Sequence, residues 1–486
     1  MMIERKIILR EDDHWRLAPG ADNSAVGVPE TLQGLILTRF DRLTPSQRRL
    51  LQTASVVGYQ FSSQVLNQVL LAQFDGISYS EINESLSLLA DREFIIPHPG
   101  IEVSSSGVGS AEQSYQFKHV LVSDAVYSTL LQRDRRELHT RVGEAIERIY
   151  TDRLDGYIEV LASHFLRSPY LNRALHYLIL SGQKAARSYA NEQALQLYRQ
   201  ALELLPNTEH TAEQAMKVHF GMGDSLLTAG DYSVARDHYI QAMEAIGVPG
   251  RTGALRNLSE IPEEGGMNGT ERIRLLSQLQ RRIGKTLESQ GDYDRALVYL
   301  QSAQLVLRYD SGAFALEQAS SLNDIGWIFF RRGSLDQAEE LLKEGLVIAE
   351  RAGQLDVTAS ILNRLAGIYY QRDSVEQASA FLLRSMHLRE EIGDVVAVAR
   401  SYNNLGLLSW KQGLLQEALQ NFNRSFRLQA NLGDVEGQIV LHTNMGLIEM
   451  DCGNLLEAQK HFQEALETAE QIGHFYHVCM ARMHLA

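Results

Sequence analysis

One heptapeptide returns throughout this chain. "GDYDRAL" at 291–297 reappears as "GDYSVAR" (230–236), "GSLDQAE" (333–339), "DSVEQAS" (373–379), "GLLQEAL" (413–419) and "GNLLEAQ" (453–459). Its alanine falls at 235, 296, 338, 378, 418 and 458, in steps of 61, 42, 40, 40 and 40, and a weaker copy places Ala194 another 41 residues back. A period near 40 residues restricts a chain to stacked supersecondary units. Other positions keep the same phase. Seven residues before each turn stands a small residue: Gly223, Gly284, Gly326, Ala366, Gly406, Gly446. Four after the alanine comes a bulky one, from Tyr198, Tyr239 and Leu300 through Leu342, Leu382, Phe422 and Phe462, and three further on a small residue again. Small residues let two helices approach, and bulky ones fill the space between hairpins. The turn glycine ends the first helix of each unit. Only 9 prolines occur in 486 residues, as a nearly all-helical chain requires when an interior proline costs about 3 kcal/mol.

The phase also disposes of a decoy. Gly284-Lys285-Thr286 has the letters that close a phosphate-binding loop, but Gly284 is the small first-helix residue, level with Gly326 and Gly406. A phosphate loop needs a glycine at 279, a strand before it and a turn through it. Position 279 is leucine, and "RIRLLSQLQRRIGKTL" has a continuous helical pattern. The 61-residue step contains "GVPGRTGALRNLSEIPEEGGMNG" (247–269), a Gly/Pro-rich insertion that a stack of repeats can expel as a loop.

These repeats resemble the tetratricopeptide repeat in a long form of 40–42 residues, over roughly 186–486, about seven copies with the last one truncated. The resemblance implies an α-solenoid, a right-handed superhelix of helical hairpins. Three before and four after the small residue lie first-helix positions on its inner face: Asn323, Asn363, Asn403, then Phe330, Tyr370, Trp410, with Trp327 between. Amides can pair with the backbone of a bound peptide, and aromatics supply contact area at little entropic cost. In related long-form repeats such asparagines line a peptide groove. The alternative is that the asparagines bond to neighbouring helices and the aromatics are core.

The front third has another rhythm. "PETLQGLILTRFDRL" predicts a helix with Pro29 in its first turn, and "TPSQRRLLQTASVVG" a second, opened by Thr44-Pro45 and closed at Gly58. "SSQVLNQVLLAQ" and "SYSEINESLSLLADR" follow, then the short extended runs "EFIIPHPG" and "SYQFKH". Three helices and a β-hairpin predict a winged helix-turn-helix domain at 28–120. Its third helix, 78–92, carries Glu81, Glu84 and Asp91 against Arg92, and the wing at 93–117 carries Glu93, Glu102 and Glu112 with no Arg or Lys. With a net charge of −14 besides, nucleic acid is a poor partner.

"VPETLQGLILTRFDRLTPSQRRLLQTASVVG" (28–58), "YQFKHVLVSDAVYSTLLQRDRRELHTRVGEAIE" (115–147) and "LASHFLRSPYLNRALHYLILSGQKA" (161–185) are together similar to bacterial signal-transduction ATPases of the STAND class, related to NB-ARC switches. In that family a P-loop ATPase precedes the winged helix, a helical spacer (here 121–185) and the repeats. The ATPase has no counterpart here, so residues 1–27 read as the remnant of the preceding domain, and the chain as an internal part of a larger protein. The resemblance gives His119, at the corner after the last extended run, the role of sensing ADP phosphates in the full-length parent. The other reading of His119 is a cap or packing residue.

No Walker motif, catalytic triad, paired-carboxylate cleft or metal spacing can be assembled locally, so no catalytic residue, metal or cofactor is expected in this chain, ATP or ADP belonging to the missing domain. Two cysteines, Cys452 and Cys479, fit a reducing cytoplasm. No apolar run approaches a membrane span, and the acidic start is unlike a signal peptide. The expected function is a non-catalytic sensor region, binding a protein, a peptide or a small-molecule effector in the repeat groove and relaying it through the winged helix. The rivals are a stand-alone scaffold and a DNA-binding regulator.

Overall fold

A computed structural model of the protein describes residues 8–11, 14–17, 32–73, 78–98, 113–188, 190–248, 269–307, 313–471 and 475–486. It falls into two units, Met1–Ser225 and Leu226–Ala486. Most of the expected remnant at 1–27, most of the 247–269 insertion, and Pro29, Glu102 and Glu112 lie outside the described residues.

The first unit opens with an antiparallel hairpin, β1 (Ile8–Glu11) and β2 (His14–Leu17). Helices α1 (Leu32–Phe40) and α2 (Pro45–Val57) follow. Thr44 accepts from the Gln47 amide while the Gln47 side chain returns to the Thr44 amide, a reciprocal cap that fixes the start of α2. Then come β3 (Gln60–Ser62), α3 (Ser63–Gln73), α4 (Tyr79–Asp91), β4 (Ile95–His98) and β5 (Ser114–Phe117). The sheet order is β3-β5-β4, all antiparallel. Strand β3 was not expected. Three residues between two helices are too few to show alternation, and it is pairing with β5 and burial of Phe61 that reveal it. Leu51, Leu66, Leu86, Leu89, Ile95 and Phe117 form a closed core with Phe40 and Phe94. The outer face of α4 exposes Glu81, Glu84 and Asp91, so the acidic residues point to solvent.

Helices α5 (Val120–Ser128), α6 (Gln132–Ile149) and α7 (Ile158–Leu166) lead out of this domain. His139 and His164 face each other between α6 and α7, Nδ1 to Nδ1 at 2.9 Å. Burial, with Arg167 and Arg135 nearby, pushes His139 down to about 4. Helix α8 (Leu171–Arg187) runs across the expected spacer–repeat boundary at 185/186, and α9 (Asn191–Leu204) follows it. Gly182 of α8 lies under Tyr198 of α9, where a Cβ would stand 2.7 Å from the ring. Gly284 and Leu300 show the same pairing at the same separation. Helix α8 thus packs on α9 as the first helix of a repeat packs on its second, ahead of the weak turn copy that carries Ala194. Helix α10 (Ala212–Thr228) runs across the division between the units.

The second unit begins in the last residues of α10 and continues with α11 (Tyr232–Ala245) and five hairpins. These are α12 (Gly269–Ser289) with α13 (Tyr293–Val306), α14 (Ala315–Arg331) with α15 (Leu335–Arg351), α16 (Leu355–Gln371) with α17 (Val375–Ile392), α18 (Val395–Lys411) with α19 (Leu415–Leu432), and α20 (Val435–Asp451) with α21 (Leu455–Gln471). Helix α22 (Phe475–Leu485) packs on α21. Each helix packs on its hairpin partner and on the next hairpin, as in a solenoid. The small–bulky pairs set the approach within each hairpin. A Cβ on Gly406 would stand 2.5 Å from Phe422, and one on Gly446 2.6 Å from Phe462. The turns need a left-handed residue, which Gly413 supplies at φ 75° and Asp373 at φ 58°. Helix α12 passes unbroken through Gly284-Lys285-Thr286.

Candidate functional site

The first helices of three consecutive hairpins, α14, α16 and α18, enclose a pocket of about 220 Å³. Trp327 and Phe330 form one wall, Gly367 and Tyr370 another, Leu407 and Leu408 a third. Trp327 and Phe330 stack with ring centroids 5.2 Å apart. Gly367 opens the space beside them, since even a Cβ there would only just reach Phe330, at 3.6 Å. Three polar side chains reach the rim: Asn363, Arg364 and Asn404.

Arg364 is held from several sides. Its guanidinium lies 5.2 Å from the Trp327 ring centre, donates to the Asn323 carbonyl and stands 3.7 Å from Asp324. Asp324 is shared with Arg281 of α12 at 2.8 Å. Burial pushes the Asp324 carboxyl up, but Arg281 and Arg364 outweigh it and hold the group below its usual value. Burial likewise lowers Lys285, partly offset by Asp324. Trp327 is fixed by its indole N–H, which donates to Glu288 at 3.2 Å. The pocket is thus mostly apolar, with one cation, Arg364, at its rim, held in place before anything binds.

The asparagines behave otherwise than a peptide-binding ladder requires. Asn323 is buried and its Nδ2 donates to Ser360 at 3.1 Å. The Asn363 side-chain oxygen accepts from Asn404 at 3.2 Å, and that of Asn403 accepts from Asn444 at 3.0 Å. Together with Arg281–Asp324 and Asn323–Arg364 these are four rungs of one ladder. A residue three before the small position in one repeat meets a residue two before it in the next. The asparagines bond neighbouring repeats to one another, and of the three only Asn363 also lines this pocket. Trp410 also leaves the site. Its indole N–H donates to Asp451 at 2.7 Å, and it packs with Phe422 and Leu441 in another core cluster. Of the seven expected groove residues, Trp327, Phe330, Asn363 and Tyr370 line the pocket. Arg364, Asn404, Gly367 and Leu407 do so too and were missed. Their signal was available for Arg364 and Asn404, which share a repeat phase, but phase alone does not say which side of a helix opens onto space.

His119 is the exposed N-cap of α5, with Nδ1 accepting from the Leu121 amide at 3.2 Å. That is the capping role. Cys452 is half-buried and Cys479 exposed, and both are free thiols. Among the described residues no helix is long and apolar enough to cross a membrane.

A sequence model of the tetratricopeptide repeat family matches residues 275–351 and 357–431. The hairpins from α12 to α19 that these stretches span are tetratricopeptide repeats. An uncharacterized protein of Rhizobium meliloti (strain 1021) is 25% identical over 213 residues, 43% of this chain but only 19% of that relative's length. Among solved structures, a STAND protein with a tetratricopeptide repeat sensor from Pyrococcus horikoshii superimposes with a TM-score of 0.53 at 10% identity, covering 95% of this chain and 66% of that one. Aspartyl phosphate phosphatase F from Bacillus subtilis reaches a TM-score of 0.47 at 12% identity, covering 91% and 94%. At 10% identity the likeness to the STAND protein is one of fold.

Proposed function

We propose that this chain is the non-catalytic sensor region of a signal-transduction ATPase, and that its tetratricopeptide repeats bind a protein or peptide segment. The observation that carries the binding half is the pocket between α14, α16 and α18. Its volume of about 220 Å³ lies below the ~300–1,000 Å³ of sites for drug-sized ligands, a size suited to one or two side chains of a peptide. An apolar side chain would enter between Trp327, Phe330 and Tyr370. An adjacent carboxylate would meet Arg364, whose position is already fixed, so little ordering entropy opposes binding.

The relay half rests on the fold. Three helices and a three-stranded sheet in the order β3-β5-β4 suit a winged helix, and the superposition on the STAND protein, at a TM-score of 0.53, extends over 95% of this chain. In this reading the winged helix works between domains rather than on DNA, because the exposed face of α4 carries Glu81, Glu84 and Asp91. A switch of this kind requires a ligand that binds one state better than another. A stand-alone scaffold would use the same pocket without the relay.

The test is selection of displayed peptides on the full chain. Peptides with an aromatic or aliphatic residue beside an acidic group or a free C-terminus are expected. Their binding should fall at least about tenfold in Tyr370→Ala, about 1.4 kcal/mol. If nothing is selected, or Tyr370→Ala and Phe330→Ala leave selection unchanged, the pocket is not the site.

A further inference from the structure

One hairpin carries a cluster that the repeat framework does not need. On α20 and α21, His442 Nδ1 lies 3.1 Å from His461 Nδ1 and 3.1 Å from Glu464 Oε2. The potential ligand atoms of the three residues all fall within 4.8 Å of one another, and all three side chains are half-buried. His461 and Glu464 are three apart on one helix, so they share a face. His442 meets them from the facing helix. The ring of Phe426 stands edge-on to His442 with centroids 4.8 Å apart, closing one side with apolar surface.

The corresponding residues of the preceding hairpins are Tyr402, Asn421 and Arg424, then Leu362, Phe381 and Arg384, then Leu322, Leu341 and Glu344. At the first two of these positions these three hairpins place apolar or neutral side chains, whereas α10 and α11 carry His219 and His238 there, with Gln241 at the third. Two imidazoles with a carboxylate beside them occur at this hairpin and not at the four named here.

Their mutual geometry is poor for a hydrogen-bonded trio. At most one N–H can lie between the two Nδ1 atoms when both rings are neutral, and the carboxylate approaches the same Nδ1. Three lone-pair donors lie within 4.8 Å of one another. A divalent cation would satisfy all three. Zinc bound tetrahedrally at ~2.0–2.2 Å from N and O ligands implies ligand separations of roughly 3.3–3.5 Å, close to the two measured here. Imidazole with carboxylate is a donor set suited to zinc and its neighbours rather than to magnesium or calcium.

We propose that His442, His461 and Glu464 form a site for a divalent transition metal of the zinc class, joining α20 to α21 and leaving a fourth position open to water or a donor from a partner. The neighbouring hairpins supply the control. His442→Leu with His461→Leu recreates the Leu322–Leu341 pair, so the double variant keeps a packed hairpin. Glu464→Gln keeps shape and removes charge.

The full chain, without an affinity tag and stripped with chelator, is titrated with Co2+ followed by visible absorption and with Zn2+ followed by calorimetry and thermal unfolding. One ion per chain is expected, with the intense bands of low-coordinate cobalt, displacement by zinc and a higher Tm. The double variant should fold, lose the Tm response and bind zinc more than about 100-fold more weakly, beyond the ~10–100-fold that loss of an outer hydrogen-bond partner costs. Glu464→Gln should weaken binding with no change in the metal-free Tm. The proposal fails if the stripped chain takes up no metal at micromolar concentrations. It also fails if the double variant binds zinc as the native chain does, placing the metal elsewhere.

Discussion

The two ends of the repeat ladder are built on one plan with different chemistry. At α12, α14 and α16 the rungs are charged: Arg281, Asp324 and Arg364. At α16, α18 and α20 they are amide pairs, Asn363–Asn404 and Asn403–Asn444. The hairpin cores divide the same way. Leucine fills the space under the small residue at Gly284 and Gly326, and phenylalanine at Gly406 and Gly446. The pocket lies where the two chemistries meet, between Arg364 and Asn404. A ladder position thus needs only a polar group of suitable reach. Charge is the extra ingredient, and it falls beside the aromatic wall.

Breaking the charged end should cost most. Asp324→Ala leaves Arg281 and Arg364 facing each other near Lys285, and should destabilise the chain by about 2–3 kcal/mol. That is below the ~3–5 kcal/mol of a fully buried pair, because Asp324 is 24% exposed. Urea denaturation measures it, and a loss under 1 kcal/mol would show that the cluster is strain rather than support. At the other end, Gly406→Ala drives a methyl into the Phe422 ring and should cost about 1–3 kcal/mol. Gly326→Ala should cost less, since Leu342 can rotate away as a flexible side chain; equal losses would remove the packing half of the comparison.

The amide rungs are weaker. Asn404→Ala should lose about 1 kcal/mol, the net worth of one hydrogen bond, roughly a third to a half of the effect of Asp324→Ala. Acid sharpens the contrast with the smallest signal. The folded-state pKa of Asp324 is lowered, so its stabilisation is fully present above the unfolded carboxylate value and fades as pH falls through the lower folded value. The cost of Asp324→Ala should therefore shrink below about pH 4, whereas that of Asn404→Ala stays flat. Parallel behaviour of the two would mean that Asp324 is not ionised in the fold.

Much of this was open to inspection in the sequence. The positions of Gly284, Gly326, Gly406 and Gly446 against their bulky partners fix hairpin packing, because close approach of two helices depends on residue size at one repeated position. The Thr44-Pro45 start of α2 was equally legible, since a cap is made by residues within one turn. Periodicity failed where the signal is short or the unit atypical, as in β3 and α8.

What the sequence by itself determined is therefore the repeat, its period and the contacts within each hairpin, all of which are local or recur at a constant separation. Tertiary structure alone decided what lies between hairpins. It took Asn363 and Asn403 as rungs, sent Trp410 to Asp451, and gathered Trp327, Tyr370 and Leu408 around one pocket. It also turned His442 toward His461 and Glu464. Side chains in equivalent phase face equivalent directions, but whether they meet a neighbour or open space depends on how far successive hairpins rotate, and no single repeat encodes that angle.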